Sequence, residues 1–449
     1  MASKRDLVEA HDFNRRRLVT AFLSGAPGGR EVEPVRYGRT IIGGIVLAAL
    51  LVAGAAVTGV LKPAVGDDWR DNGLVIGKSS GSRFLMFDGK LYPVANISSA
   101  RLAVDGKLKV SYVPDDILVK EPKLNAIGIV NAPDYLPPSS SLVKDGWTAC
   151  TNAEGGLRTV VHHVPDATPT PDRALVVRSA GDQSLWLVAG GYRHAIAADT
   201  SNDTLRGLGL DRSTPFTASD QWLQLVATGA PISPFAVPDA GSPVSTPVAG
   251  LETIGTPIRV DGKGYVLGQD QLIPLSDFAY AVYRLGPEGS SLPEREVTAA
   301  ELDGLRTQTG DPIYPGDWPR DLLSAYSGST PCLLLTADQD DTTTHRSVLA
   351  TPTDAGVSPS GNQITVSVEQ GRGALVYAST RSTGGSSDTE YLIDSLGVRY
   401  AIGPKAIRGP TQERLGYGAV EPVPVPRAWT ELFGDGPQLS VASAGKPVA

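Results

Sequence analysis

Thr40 to Leu61, TIIGGIVLAALLVAGAAVTGVL, runs for 22 residues without a charge, an Asn, a Gln or a Pro. A helix of that length rises about 33 Å at ~1.5 Å per residue, enough to cross a hydrocarbon core of about 30 Å. The stretch is read as one membrane span, and it assigns the rest of the chain to two aqueous compartments. A cleaved secretory signal fits less well, because its apolar region is shorter and ends on small residues, whereas Lys62-Pro63 follows Leu61 directly.

The flanks set an orientation. Residues 1–39 carry eight Lys or Arg against five acids, while Asp67, Asp68 and Asp71 lie just beyond the span. The positive side stays in the cytoplasm, so the expectation is a basic cytoplasmic tail over 1–39, a transmembrane helix over 40–61, a linker over 62–72, and an extracytoplasmic remainder. Asp6 to Phe22 can form a helix with Leu7, Ala10, Phe13, Leu18 and Phe22 to one side and Arg15, Arg16 and Arg17 on another. Such a helix suits anionic lipid or a partner's cytosolic face; the alternative is a retention signal that only sets topology. Gly25 to Gly29 break it before the span. Small residues four apart in the span (Gly44/Ala48, Ala49/Ala53, Ala55/Gly59) favour close helix association and hence self-association in the bilayer.

Beyond the span the chain holds 32 basic and 43 acidic residues, which excludes a nucleic-acid binder. Its composition, with 50 Gly and 35 Pro in the whole chain, points to a mainly β fold with some α. Two Met and eight Phe argue against a large aromatic groove or a Met-rich binding surface. Cys150 and Cys332 both fall on the oxidising side and are expected to pair, the alternatives being two buried thiols or a metal site with no His near it.

A degenerate repeat recurs four times, at 73–102, 174–230, 256–286 and 373–418. In the first copy, GLVIGKSSGSRFLMFDGKLYPVANISSARL, alternating apolar stretches are separated by SSGS and DG turns, the pattern of a β-meander. Aligned on the third strand, Leu91-Tyr92-Pro93-Val94 matches Arg193-His194-Ala195-Ile196, Leu272-Ile273-Pro274-Leu275 and Arg399-Tyr400-Ala401-Ile402. A short capping segment follows each and ends near an Arg (Arg101, Arg206, Arg284, Arg414), expected to anchor the cap to its own sheet. Units this small cannot bury an apolar face alone, so the copies are expected to pack on one another as a pseudo-symmetric scaffold.

Two non-repeat stretches, 103–173 and 287–372, contain one Cys each, with Trp147 and Trp318 nearby. They are expected to meet as a central domain. Residues 231–255 read as a linker, and 419–449 as a Pro-rich tail that docks Trp429, Leu432 and Phe433 and is loose past Gly436.

Chemistry is sparse. The five His lack zinc spacing, and Asp338-Gln-Asp340-Asp341 begins like a calcium loop without the later Gly and Glu, so neither a metal nor a catalytic residue is assigned. Gly77-Lys78-Ser79-Ser80-Gly81 matches the G-x-S-x-G elbow, but a strand and not a helix is expected after it. The same segment is one residue short of a phosphate loop, with Asn72 where Gly belongs; Lys78 and Ser79 are the candidate nucleotide-binding residues.

The charged tail, the single span, GLVIGKSSG, the DGKLYPVANISSARL-type repeat ends, and WTAC and TPCLLL around the cysteines resemble EccB, the single-span membrane component of the type VII secretion system. The resemblance implies four repeats around a central domain held by a disulfide, and a structural role in the secretion membrane complex. It implies assembly with EccC (an FtsK-like ATPase), EccD and EccE, and contact with a mycosin protease; the residues themselves call for no cofactor, and ATP enters only by family attribution. It also brings an attribution of ATP hydrolysis, which no intact Walker motif supports. A cell-wall glycan-binding module is a further alternative, resting on the repeats and the outer location.

Overall fold

The computed structural model describes residues 3–24, 37–60, 66–248, 250–337, 344–379, 389–402 and 405–448. The chain divides into two compact parts, Met1–Asp67 and Asp68–Ala449. The first holds helix α1 (Lys4–Ser24) and helix α2 (Tyr37–Val60). Over Gly38–Ala55 the mean hydropathy of α2 is 1.9, so it is long and apolar enough to cross a membrane. Leu7, Phe13, Leu18 and Phe22 of α1 are exposed. The expected break at Gly25 to Gly29 lies outside the described residues.

In the second part the first of four repeat units folds as β1 (Gly73–Gly77), β2 (Arg83–Phe87) and β3 (Lys90–Pro93), followed by helix α3 (Ile97–Ala103) and strand β4 (Val110–Val113). The strands β1 to β3 are antiparallel, and β4 returns parallel to β1, giving the order β3-β2-β1-β4. Asp88-Gly89, with φ of 48° and 70°, form the tight turn between β2 and β3, the geometry that right-twisted hairpins require and that Gly adopts without steric cost. Asn96 caps α3 by accepting from the Ser99 N–H at 2.9 Å.

Three further sheets share this plan. Meanders at Arg173–Ile196, Pro257–Leu275 and Ala374–Ile402 lead into helices Ser201–Gly207, Asp277–Leu285 and Lys405–Leu415. Each then gains a strand parallel to its first (Phe216–Ala218, Arg295–Val297, Val423–Pro426) and a short one parallel to its third (Ala227–Thr228, Arg306–Thr307, Gly434–Asp435). In the first unit that last position is held only by bridges from Leu91 to Lys123 and from Val94 to Ile127. The sheets therefore draw on segments that the sequence assigned to 103–173, 287–372 and 419–449. Those return strands are two to four residues long, too short to show a period.

The central sheet is built from what remains of the two non-repeat stretches, in the order Ile364–Val368, Leu157–Val161, Trp147–Thr151, Cys332–Ala337, His345–Pro352, Ala167–Pro169. Cys150 and Cys332 sit directly opposite one another on its middle strands and form a disulfide.

The units pair through their caps. Ile196, Leu205, Phe278 and Tyr283 share one core between the second and third units, and a Cβ added at Gly207 would lie 2.7 Å from Leu285. Leu102, Leu392, Tyr400 and Leu415 share another between the first and fourth. The four arginines do not tie each cap to its own sheet. The Arg101 guanidinium donates to the Leu415 carbonyl at 3.1 Å, and Arg414 donates to the Leu102 carbonyl at 2.7 Å, a reciprocal pair across two units. Arg284 turns onto the carbonyls of Gly289 and Leu292, and Arg206 onto Asp203. A guanidinium has more donors than one carbonyl needs, and the unpaired last carbonyls of a neighbouring cap are acceptors within its reach.

The C-terminal region is not a loose tail. Val423–Pro426 forms an edge strand of the fourth sheet, a position where prolines cost no ladder bond. Trp429, Leu432 and Phe433 are buried, and beyond Gly436 a short helix, Val441–Ala444, buries Ala444 completely. The Val448 N–H then donates to the Ala126 carbonyl at 2.8 Å, and the Gly128 N–H to Lys446 at 3.1 Å, fastening the end of the chain to the first unit.

Candidate functional site

Lys78 and Ser79 lie in the turn joining antiparallel β1 and β2. The Gly77 N–H donates to Ser82 and the Gly81 N–H to Gly77, both at 2.9 Å, with Gly81 at φ 67°. A strand follows, so no helix N-terminus faces this turn from the downstream side. The amides a phosphate would need are occupied. The Asp115 carboxylate, just past β4, accepts from the Ser79 N–H at 2.8 Å and the Ser80 N–H at 3.3 Å, and from the Ser80 hydroxyl. The Ser80 hydroxyl, followed by the Ser79 N–H, holds the Asp115 carboxyl below its ordinary range.

The same turn recurs in the second unit. There the Ser179 N–H donates to Ser184 at 2.9 Å, Gln183 takes φ 62°, and Asp220 accepts from the Ser179 hydroxyl at 2.6 Å. A turn with a carboxylate clasp at corresponding places in two sheets is a device of the repeat. Asp115, 36 residues from Ser79, escapes motif reading; its only signal is that Pro114-Asp115 and Ser219-Asp220 each follow a return strand. Lys78→Ala and Ser79→Ala are expected to leave any ATP turnover of the purified protein unchanged, checked by phosphate release.

Among the described residues no group of three or more His, Cys, Asp or Glu could hold a metal ion. Asp338, Asp340 and Asp341 lie outside them. His162 pairs with Asp166 at 2.9 Å and His163 with Glu369 at 2.7 Å. The His163 backbone N–H and ring, with Arg372, hold Glu369 down to about 2. His194 is wholly buried on the third strand of the second unit. Its Nδ1–H donates to the Ala230 carbonyl at 2.9 Å, whose own N–H donates to Asp317 at 2.8 Å.

Burial pushes the His194 pKa down, with the Ala230 carbonyl and Asp317 opposing it. A histidine kept neutral by folding gives stability that is complete above its unfolded value of about 6.5 and is lost as pH falls below it, because the unfolded chain then gains the proton. His345, also pushed down by burial, adds to the same window. The melting temperature of the purified protein is expected to fall between pH 7 and pH 5, and His194→Asn, which retains a donor near Nδ1, to flatten that fall.

A cleft of about 600 Å³ opens beside the turn at Lys78 and Ser79, lined by Ser79, Ser80, Asp115 and Lys123, and two larger ones lie elsewhere. One of about 970 Å³ lies at the third unit beside Tyr265, Tyr314 and Trp318. Trp318 is buried against Phe235 and Phe278, so its ring is not laid open as a sugar platform. The other, about 770 Å³, lies between the first sheet and the end of helix Lys405–Leu415, with Leu74, Ile76, Val110 and Tyr112 on the sheet side and Arg101 and Arg414 opposite.

Residues 1–446 match the family described as the type VII secretion system ESX-1, transport TM domain B. The chain is 26% identical to the "ESX-3 secretion system ATPase EccB3" of Mycobacterium tuberculosis, over 92% of this chain and 84% of that protein. It is 27% identical to the "ESX-1 secretion system ATPase EccB1" of the same organism, over 91% and 87%. In structure it resembles a chain of the "EccB3 dimer from the ESX-3 core complex", with a TM-score of 0.66 and 20% identity, covering 84% of this chain and 100% of that one. A chain of the "intact ESX-5 inner membrane complex" matches with a TM-score of 0.63 and 20% identity, over 100% and 96%.

Proposed function

The chain belongs to the EccB family of the type VII secretion system, and from that premise we propose that it is a membrane-anchored structural subunit of the secretion complex. The observation that carries this reading is the joining of one span to an outer unit of paired sheets. A lone span cannot form a conduit, so it must pack with other spans, and a rigid body beside it holds them in register. The related chains described in ESX inner membrane complexes support the same role and support self-association.

In this reading the basic tail lies in the cytoplasm and the whole of Asp68–Ala449 outside, as the charge asymmetry requires. The Cys150–Cys332 bridge suits that placement, since disulfides persist outside the cytosol. The span packs within the membrane assembly, α1 engages anionic lipid or the cytosolic faces of an EccC-type ATPase, EccD and EccE, and the outer unit meets the mycosin protease. The relatives' names include the word ATPase. In this chain the turn at Lys78 and Ser79 is committed to Asp115, and an outer unit would meet little ATP, so energy comes from the cytosolic motor. Affinity purification from native membranes followed by mass analysis tests the proposal: co-isolation of an FtsK-type ATPase is expected, and a chain that always purifies alone would overturn it. For topology, a bilayer-impermeant thiol probe on intact cells should label a Cys introduced in a repeat and spare one introduced near residue 5; the reverse pattern would defeat the orientation.

A further inference from the structure

Each return strand is followed by a short helix, and where that helix lands differs among the units. After Phe216–Ala218 comes Asp220–Gln224, whose Trp222 is wholly buried and donates from its indole N–H to the Ala149 carbonyl of the central sheet at 3.1 Å. After Val423–Pro426 comes Arg427–Thr430, whose Trp429 fills the same core. After Arg295–Val297 comes Ala299–Leu302, which buries Leu302 in the core of the second and third units and leads into the exposed Asp303. The first unit breaks this pattern. After β4 comes Asp115–Leu118, and the chain then runs over the surface as Val119-Lys120-Glu121-Pro122-Lys123-Leu124. Val119 is 73% exposed and Leu124 44%, with Lys120, Pro122 and Lys123 exposed between them.

Val119 and Lys123 line the cleft of about 600 Å³ beside the β1–β2 turn, so this segment and Lys78 of that turn belong to one surface. Its acids are largely occupied. Asp115 accepts from Ser79 and Ser80, and Glu121 pairs with Arg70, which leaves the exposed Asp116. Among the described residues Lys78, Lys120 and Lys123 have no carboxylate partner. Six of the ten Lys after residue 66 fall between Lys78 and Lys123, whereas residues 137–449 hold 22 basic residues against 34 acidic ones. A basic and partly apolar face on an otherwise acidic body selects an anionic partner that also accepts apolar side chains.

Such a partner is within covalent reach. Val60, the last residue of α2, is joined to Arg70 by at most about 35 Å of extended chain. Arg70 is in turn held to this segment by Glu121, with its guanidinium 4.5 Å over the Trp69 ring. We infer that the occupant is the anionic phospholipid surface around the span. Lys78, Lys120 and Lys123 meet headgroup phosphates, and Val119 and Leu124 sit at headgroup depth, the mixed basic and apolar contact of interfacial segments. The contact is a second attachment besides the span, and it fixes the tilt of the outer unit, which a single covalent tether leaves free. This inference goes beyond the scaffold role and rests only on α2 crossing the bilayer.

The test uses the full-length protein carrying Val119→Cys, labelled with a polarity-sensitive dye and reconstituted in vesicles of phosphatidylglycerol and phosphatidylcholine. Cys150 and Cys332 are fully buried and paired, so neither takes the label. Quenching by lipid spin-labelled at the headgroup is expected for the dye at Val119 and not for one at Leu396→Cys, an exposed position of the fourth unit. In vesicles of phosphatidylcholine alone the quenching is expected to be lost. Each lysine near an anionic surface contributes about fivefold, so Lys78→Glu, Lys120→Glu and Lys123→Glu together should lower the ratio of docked to undocked protein by at least about a hundredfold. All three positions are exposed, so the melting temperature should stay that of the parent. An unquenched dye at Val119, equal quenching in neutral vesicles, or a triple variant quenched like the parent overturns the inference. So does a dye shielded in native membranes but open in vesicles of the purified chain, which would make the cover another protein. A chain that fails to float with the vesicles has no span, and the anchor in the scaffold reading then falls together with the contact.

Discussion

Replacing Cys150 and Cys332 together by alanine is expected to lower the stability of the outer unit by as much as about 5 kcal/mol, the largest loss from any small change. The bridge closes a loop between positions 182 apart, and the chain-entropy account gives about that figure for so long a loop. What it joins decides the consequence. Its two strands belong to different stretches of the chain, and the central sheet they start carries one wall of the core holding Trp147, Trp222 and Trp429. Without the bridge the unfolded chain regains its freedom, and the central sheet must form by long-range pairing alone. Thermal melts of the double variant beside the parent measure the loss, and non-reducing electrophoresis should show the parent slowing on addition of reductant. An unchanged melt would mean that packing alone holds the sheet.

Trp429→Ala is expected to cost about 3–5 kcal/mol, the range for large buried aromatics. The indole is wholly buried, and its N–H donates to the Ser347 hydroxyl at 2.8 Å and the Leu225 carbonyl at 3.2 Å. It meets Trp147 edge-on, with centroids 6.4 Å apart. One side chain thus touches the fourth unit, the central sheet and the end of the second unit. Its loss leaves a cavity where three bodies meet, besides one donor removed from Ser347. Leu396→Ala, at a side chain 83% exposed, is the control and should stay within about 0.5 kcal/mol of the parent. Chemical denaturation of both variants reads the difference directly.

The span, the meanders and the turns were legible because each carries its own local signal: a long apolar run, alternation, and Asp-Gly or Ser-Gly punctuation. Segments with no period of their own stayed hidden. Ala227–Thr228 and Arg306–Thr307 exist only because a sheet offers them an edge, and Val423–Pro426 reads as a strand breaker until its position on that edge is known. The crossed pair Arg101 and Arg414 was visible as a recurring residue, but its acceptor lies on a cap some 310 positions away. For the same reason Lys78 and Ser79 matched a motif, while Asp115, which fills their amides, belongs to no local pattern.

The hydrogen bond from Val448 to Ala126 has a consequence for how the molecule is made. The first repeat leaves the ribosome early, yet one of its margins is completed by residues synthesised more than 300 positions later. Folding therefore cannot proceed strictly from one end to the other, and the opening repeat must wait with its margin bare while the other three are threaded out. A nascent chain stalled before Val448 would hold every repeat and still lack the hydrogen bond that fastens the first one.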